Sequence, residues 1–528
     1  MCGIFAYLSG DDKTIKYFSS FDDSKHRGPD NSKYEQINNH VCLGFHRLSI
    51  NDLTTHGNQP FHDIRGIHLV CNGEIYNHKE LEQKYNLQPQ SKSDCEVIML
   101  LYKKIGIEET IKQLDGVFAF VLYDEAEDTV FVARDPIGVR PLFIGQTSSG
   151  EYLFASEVKS IFKHCSVVKQ FKPGHFWNSI DRQYISYWKL PDPTMFIQKD
   201  DIPLKQINSL LKRAVSKRIH NSERPIGLFL SGGFDSSIVA AIAQYIQQKE
   251  NKQPLHSFSI GFQDSNDLKF AKQVARKIGS VHHEIRFTVE EAVEAISEVI
   301  KSLETYDVTT VRASVPMWLL SRYIGTKTEV RVMLSGEGAD EFGSYLYFKD
   351  APNPEEFNKE SLRLLHELHK YDVLRTDRST AAHGLEVRVP FLDKEFMQFF
   401  TQIPTQYRMP YKNIEKYYLR KSFEDDNLLP HEVLWRPKDA FSDSVGESWK
   451  SCITKHVEKL YTSENLLEAT TKYKHLPPLT KEGLWYREIF EKHYGSKCVK
   501  LLDKYWMPKW QPETVIDPSA TVLAVYKK

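Results

Sequence analysis

The ten residues LFLSGGFDSS, Leu228 to Ser237, limit the architecture of this chain more than any other stretch. Ile226 to Leu230 is a short apolar run that reads as a buried strand. Ser236 to Gln247 (SSIVAAIAQYIQ) has helical spacing and an open N-terminus. Between them, Ser231, Gly232 and Gly233 let a ligand approach the backbone closely. The loop N–H groups and the first helical turn then form a nest for an anion. Asp235 places a carboxylate beside that nest, which suits a Mg2+ ion bridging carboxylate and phosphate. A plain βα turn packed by glycines is the alternative, and a bare Gly-Gly would favour it. The whole SGGxDSS pattern between strand and helix favours a phosphate. No GxxxxGK[ST] loop occurs in the chain.

The surroundings extend the same rhythm. Leu204, Ile207, Leu210, Leu211, Ala214 and Val215 mark one helical face. Strand-like runs at Ile226–Leu230, Ser257–Gly261, His283–Phe287 and Val330–Leu334 then alternate with helices around 236–248, 267–279, 290–303 and 314–324. Such alternation predicts a parallel sheet with helices on both faces, and ligands bind at the carboxyl ends of its strands. A second Gly-rich loop, LSGEGADE (Leu334 to Glu341), falls at that same end. Beyond about 350 the pattern is mainly helical, and from about 450 it gives only charged helices and a proline-containing tail.

Residues 1 to 190 differ. Gly3–Leu8, Val41–His46, Gly66–Asn72, Val117–Asp124, Thr129–Arg134 and Tyr152–Ser156 are short runs broken by turn residues, with helices at His78–Tyr85 and Asp94–Ile105. That mixture predicts a sheet sandwich with helices packed outside it. Leu190 to Pro203, with three prolines and a charge cluster, is the natural linker. The division is therefore 2–190, a linker at 191–203, and 204–528. A length of 528 residues with 41% hydrophobic content supports two real cores. A net charge of −1 gives no case for nucleic acid or an anionic membrane surface. No apolar run approaches the ~18 residues of a spanning helix, and no secretory leader is legible. Seven cysteines without a CxxC pair predict a reducing compartment, the cytosol by default, and no zinc site.

Cys2 stands behind the initiator methionine. Once Met1 is removed, an α-amine with pKa ~7.7–8.0 lies next to a thiol of ~8.5 and can serve as its general base. Position alone would equally suit a small residue starting a strand. The context changes that balance: MCGI, HRGPD (His26–Asp30), HRLSI (His46–Ile50), GNQP (Gly57–Pro60), NGEIYN (Asn72–Asn77), SDCE (Ser93–Glu96) and ARDPIGVRPLF (Ala133–Phe143) follow in order. Together they resemble the glutaminase domain of the N-terminal-nucleophile (class II) amidotransferases. In that reading the Asn72 amide and the Gly73 N–H receive the oxyanion formed when Cys2 attacks a glutamine amide. Arg47 forks onto the carboxylate of glutamine, Asp94 takes its ammonium, and Glu74 is a second acceptor. Surface ion pairing is the plain alternative for any of these three alone.

SGGFDSS resembles the PP-loop of the N-type ATP pyrophosphatases. SIGF (Ser259–Phe262), YDVTTVRAS (Tyr306–Ser314), SGEGADE (Ser335–Glu341), YLYFKDAPN (Tyr345–Asn353), GLEVRVPFLD (Gly384–Asp393) and RPKDAFSDSVG (Arg436–Gly446) extend the likeness. Residues 1 to about 447 together resemble the glutamine-hydrolysing asparagine synthetases. The implied fold is an α+β Ntn sandwich followed by an α/β parallel-sheet PP-loop domain. The implied activity is a ligase reaction in which ATP adenylates the β-carboxylate of aspartate and ammonia from glutamine displaces AMP. The implied cofactors are ATP and Mg2+, and the resemblance leaves a homodimer open. Ser231, Gly232, Gly233, Asp235, Ser236, Ser237, Ser335 and Gly336 are implied to cradle the nucleotide phosphates, with Leu230 and Ile260 lining the adenosine pocket. Asp235 and Asp340 are implied as Mg2+ ligands. Glu337 is the implied general base and Lys438 the cation at the α-phosphate. Thr309, Thr310 and Arg312 are weaker candidates for aspartate or pyrophosphate. The chain departs from the family pattern at Phe234, Val315 and His383, and in a GEGADEFGSY loop one residue short with Ser344 in place of glycine. A related acceptor, as in β-lactam synthetase-like or peptide-modifying enzymes, and a non-catalytic nucleotide sensor are the competing readings.

Overall fold

The computed structural model describes residues 1–9, 19–193, 202–262, 265–436 and 449–517. In the first part, strands β1 (Gly3–Leu8), β2 (Asn31–Gln36), β3 (Val41–Arg47), β4 (Phe61–His62) and β5 (Ile67–Ile75) precede helices α1 (His78–Tyr85) and α2 (Glu96–Gln113). Then come β6 (Gly116–Asp124), β7 (Thr129–Arg134), β8 (Phe143–Gln146), β9 (Tyr152–Ala155), β10 (Val167–Gln170), β11 (His175–Asn178) and β12 (Tyr184–Ser186). They form two six-stranded sheets, ordered β10-β8-β9-β1-β3-β2 and β12-β11-β7-β6-β5-β4.

Period-two alternation explains the layering. Ile4, Ala6 and Leu8 on β1 pack with Val70, Val121, Val132 and Trp177 of the other sheet, making the inter-sheet core. Phe5 and Tyr7 turn the opposite way, into the core shared with the second domain. On the second sheet, Leu69, Cys71, Phe118 and Phe120 face Leu81, Ile98, Leu101 and Ile111 of α1 and α2. The sandwich with helices outside is thus the observed fold. Helix α2 runs past the Ile105 limit read from sequence, through one irregular residue, Gly106, to Gln113.

The second domain opens with α3 (Leu204–His220) and alternates β13 (Ile226–Phe229), α4 (Phe234–Lys249), β14 (His256–Gly261), α5 (Asn266–Ile278), β15 (Val281–Arg286), α6 (Val289–Leu303), α7 (Val308–Lys327) and β16 (Val332–Leu334). After α8 (Pro354–Glu367) and α9 (Asp372–Ala381), β17 (Glu386–Arg388) completes a parallel sheet in the order β15-β14-β13-β16-β17. Helix α7 begins earlier than the 314–324 span expected, because Asp307 caps the Thr310 N–H at 2.9 Å. It also tolerates Pro316. A proline cannot bond the carbonyl four residues back, and here that carbonyl, Arg312 O, accepts the Trp449 indole N–H at 3.1 Å. The region beyond 450 is ordered into helices at Trp449–Leu460, Ser463–Lys472 and Lys481–Tyr494. It packs back on the domain through Tyr306 Oη to Val499 O, 2.9 Å.

A seam of buried charges joins the two domains. Arg27 donates to Glu157 at 2.8 Å and to Asp377 at 2.9 Å, while Arg378 reaches Glu157 at 2.7 Å and Glu304 at 2.9 Å. Burial opposes the charge of Glu157, yet Lys159, His26 and Arg378 hold its carboxyl well below the usual range. Removing one member leaves buried guanidinium uncompensated. Glu157→Gln is therefore expected to destabilise the folded chain by about 3–5 kcal/mol, read as a lowered urea midpoint. A shift below about 0.5 kcal/mol, the range of ordinary surface changes, would contradict the seam's role.

Candidate active sites

Cys2 begins the first site, just ahead of β1. Its Sγ lies 3.6 Å from Leu48 O and 3.4 Å from Leu48 N, the turn that follows β3. Met1 is present and fully buried, its ammonium donating to Leu385 O of the second domain at 3.2 Å. Burial pushes the Cys2 thiol up to about 11 and the Met1 amine down to about 6. In the unprocessed chain the thiol is therefore protonated at neutral pH, and the amine that could activate it is tied in the Met1–Cys2 peptide.

Two strands and one helix start supply the rest. Asn72 and Gly73 sit in the middle of β5. The Asn72 Nδ2 is buried and bonds no acceptor among the described residues, a polar donor open to a ligand. Arg47, at the end of β3, donates to Thr54 O at 2.7 Å, Asn58 Oδ1 at 2.7 Å, Asn51 O at 3.3 Å and Asp52 O. All four acceptors are uncharged oxygens, so the guanidinium is oriented without being neutralised. Asp94, ahead of α2, accepts the Ile75 N–H and the Asn51 amide, the latter at 3.3 Å. Asn51 also donates to Glu74 at 3.0 Å, so one amide ties both acids together.

Glu74 has a further role that the sequence did not disclose. Its Oε2 accepts from Asn221 at 2.7 Å and is ion-paired with Arg388 at 3.0 Å, both from the second domain. Burial pushes its carboxyl well up against the pull of Arg388. The Glu74 end of this first cluster is thus held by the second domain itself.

The second site gathers at the carboxyl ends of β13, β14 and β16. Leu230 and Ile260 are buried at two of those ends, with Leu230 N–H on Phe258 O at 2.9 Å. Gly232 has φ +82°, and a Cβ there would meet Ala271 N at 2.6 Å, so only glycine fits the turn. The Ser236 hydroxyl lies 2.9 Å from Ser231 Oγ and accepts the Ser231 N–H at 3.1 Å, folding the loop over the start of α4. Gly233 precedes that helix, and the buried Ser237 Oγ has no hydrogen-bond partner among the described residues. Ser335 continues β16, its N–H on Arg388 O at 3.0 Å.

Gly336 brings the second loop against the first. A Cβ on it would lie 2.5 Å from Ser236 N. Gly336→Ala must displace the phosphate loop, and a displacement of this order costs about 100-fold in rate. That loss is expected in the rate of nucleotide turnover, and an unchanged rate would contradict the placement of this loop.

Asp235 and Asp340, from separate strand ends, converge on one ammonium, that of Lys416, which is 2.7 Å from Asp340 Oδ1 and also bonds Asp235 Oδ2. The shortened loop does not disturb this: Asp340–Phe342 is a 3-10 turn, and Ser344 N–H closes on Asp340 O at 2.8 Å. Two hard carboxylates aimed at one point beside a glycine-rich loop fit a Mg2+ ion, and Asp235 Oδ1 has no hydrogen-bond partner among the described residues.

Glu337 receives Arg375 on both oxygens at 2.9 Å. Burial pushes its carboxyl up while Arg375 pulls it down, and the net direction is up. Thr309 Oγ1 is buried without a partner among the described residues, whereas Thr310 serves the α7 cap. Arg312 pairs with Glu482 at 2.6 Å and 3.1 Å, anchoring the carboxy-terminal helices. Lys438 lies outside the described residues; just before it, Arg436 donates to Gly232 O at 3.3 Å.

Sequence comparison matches the two domains that carry these residues. Residues 1–198 match the model of the glutamine amidotransferase domain, and residues 206–355 and 349–517 match that of asparagine synthase. The chain is 45% identical over 561 aligned positions to the glutamine-hydrolysing asparagine synthetase of Cricetulus griseus, covering 100% of this chain and 99% of that protein. It is 44% identical to the Homo sapiens protein of the same name at the same coverage. With an Ntn-type sandwich joined to a PP-loop domain, and full-length relatives at this identity, the chain belongs to the glutamine-hydrolysing asparagine synthetase family.

Proposed function

We propose that the chain converts aspartate to asparagine, using ATP for activation and glutamine as the nitrogen source. The observation that carries this is the convergence of Asp235 and Asp340 beside the phosphate loop. It lies in a chain whose other domain carries Cys2 just ahead of β1 and, on β5, an Asn72 amide nitrogen that is buried without a hydrogen-bond partner among the described residues. In the processed chain the Cys2 thiol passes its proton to its own amine and attacks the glutamine amide, while Asn72 and the Gly73 N–H take the oxyanion. Arg47 holds the glutamine carboxylate, and Asp94 and Glu74 face its ammonium. Ammonia leaves and a water hydrolyses the thioester to glutamate. A dry passage keeps ammonia unprotonated and nucleophilic.

In the second domain the Ser231–Ser237 loop, with Ser335 and Gly336, binds the ATP phosphates, and Leu230 and Ile260 flank the adenosine. Asp235 and Asp340 would hold Mg2+, which when bound offsets phosphate charge and steadies pyrophosphate as a leaving group. An oxygen of the aspartate β-carboxylate attacks the α-phosphorus, pyrophosphate departs, and Lys438 stabilises the charge that develops. Ammonia then adds to the acyl carbon. Glu337, a carboxylate raised by burial, takes the proton released as the C–N bond forms. AMP departs with the former carboxylate oxygen. Seven free thiols fit the cytosol as the working compartment.

The oxygen path gives the test. With 18O in the β-carboxylate of aspartate, one labelled oxygen must appear in AMP for each asparagine made. Label in pyrophosphate or inorganic phosphate would contradict adenylation and indicate a phosphorylated intermediate.

A further inference from the structure

Lys416 carries no motif, yet its ammonium occupies the point on which Asp235 and Asp340 converge. Its side chain is 3% exposed. The backbone is set to deliver it there. Lys416 stands at φ +56°, in the left-handed region that non-glycine residues avoid, at the start of the helix Tyr417–Lys421. Its carbonyl accepts the Arg420 N–H at 2.9 Å, and its neighbour Glu415 is pinned to Arg420 at 2.9 Å. Among the described residues, Lys416 pairs with both Asp235 and Asp340, Arg375 pairs with Glu337 and Asp372, and Glu341 accepts from Tyr345.

We infer that Lys416 is the internal counter-ion of the metal-ligating pair. It holds Asp235 and Asp340 at ligating separation before nucleotide arrives, competes with a bare divalent ion for them, and yields them when the ion enters with the nucleotide polyphosphate. A divalent ion and an ammonium cannot share the same two oxygens at contact distance without strong repulsion. The incoming polyphosphate resolves the conflict, because it gives the released ammonium a new anionic partner. A bare ion brings none. Lys416 is therefore a positioning residue that makes metal binding depend on nucleotide. This rests on the assignment of Asp235 and Asp340 to Mg2+.

The probe is Mn2+ binding to the full chain, followed by electron paramagnetic resonance, first with Mn2+ alone and then with Mn2+ and ATP. Lys416→Gln, neutral but still a donor, is expected to bind Mn2+ alone at least about tenfold more tightly than wild type and Mn·ATP at least about tenfold more weakly. Lys416→Arg, which keeps the charge, should bind Mn2+ alone as wild type does. A structural lysine would weaken both or neither. Lys416→Gln binding Mn2+ alone no more tightly than wild type overturns the inference. Asp235→Asn separates the two claims: if it leaves Mn·ATP affinity unchanged, the metal assignment itself has failed. Lys416→Met, which removes the charge but keeps the length of the stem, is the second variant should Lys416→Gln not fold: it too is expected to bind Mn2+ alone at least about tenfold more tightly than wild type, and binding no tighter than wild type overturns the inference.

Discussion

Cys2→Ala abolishes asparagine formation from glutamine, by more than about 10³-fold, while formation from ammonia continues. The two outcomes separate because the thiol serves only nitrogen release, and the adenylating site lies in the other domain. A chain that retains Met1 is expected to behave in the same way. In it the Cys2 thiol is pushed up to about 11 and the free α-amine belongs to Met1, which donates to Leu385 O. Removal of Met1 moves the free α-amine onto Cys2 itself, where it can take the proton of its own thiol. Assays with glutamine and with ammonium chloride on mass-verified processed and unprocessed chains check both points. Glutamine-driven asparagine from the alanine variant would remove Cys2 from the mechanism.

Glu337→Ala stops asparagine formation from both nitrogen sources, with a loss of about 10²–10⁴-fold expected of a general base. Pyrophosphate is still released, because the acyl-adenylate forms before the proton is taken. The bidentate contact with Arg375 raises a structural alternative, that Glu337 merely balances charge. Arg375 retains Asp372 at 2.7 Å, so it is not stranded by the change. Glu337→Gln separates the two: it preserves the shape and a hydrogen bond but cannot accept the proton. Rapid-quench measurement should find pyrophosphate without asparagine. Undiminished synthesis in either variant would refute the assignment.

What the sequence disclosed follows from where each element sits. Strands such as β1, β5, β6 and β7 have neighbours on both sides and buried faces, so their apolar runs are visible, and β1 and β7 match the expected bounds to the residue. The four strands at sheet ends within the sandwich, β2, β4, β10 and β12, left no signal. Edge strands face water and carry polar residues such as NSKYEQ, which look like loop. The interior strands β8 (FIGQ) and β11 (HFWN) left no signal either, each being short and closed by a polar residue. β17 was missed for another reason: its sequence is Glu-Val-Arg, two charges in three residues, buried because Arg388 spans to Glu74 and Glu386.

The sites divide similarly. Loops that meet their ligand through local backbone, such as Ser231–Ser237, announce themselves by glycine and spacing. Residues that act across the domain seam do not. Asn221 and Arg388 are separated from Glu74 by 147 and more than 300 residues of chain, so nothing in sequence connects them. Lys416 sits in NIEKYY, which looks like any solvated helix start. Arg312 illustrates the opposite case: its motif suggested a ligand, and its fold partner is Glu482.

The central claim is that one chain couples glutamine hydrolysis to adenylation of aspartate. The most direct measurement is a product analysis of the processed protein with Mg2+, ATP, glutamine and, in turn, aspartate and several other carboxylates. Asparagine, AMP, pyrophosphate and glutamate should appear in equal amounts with aspartate, and no amide should form from the other acids. Glutamate without pyrophosphate, or an amide of a different acid in its place, would contradict the account.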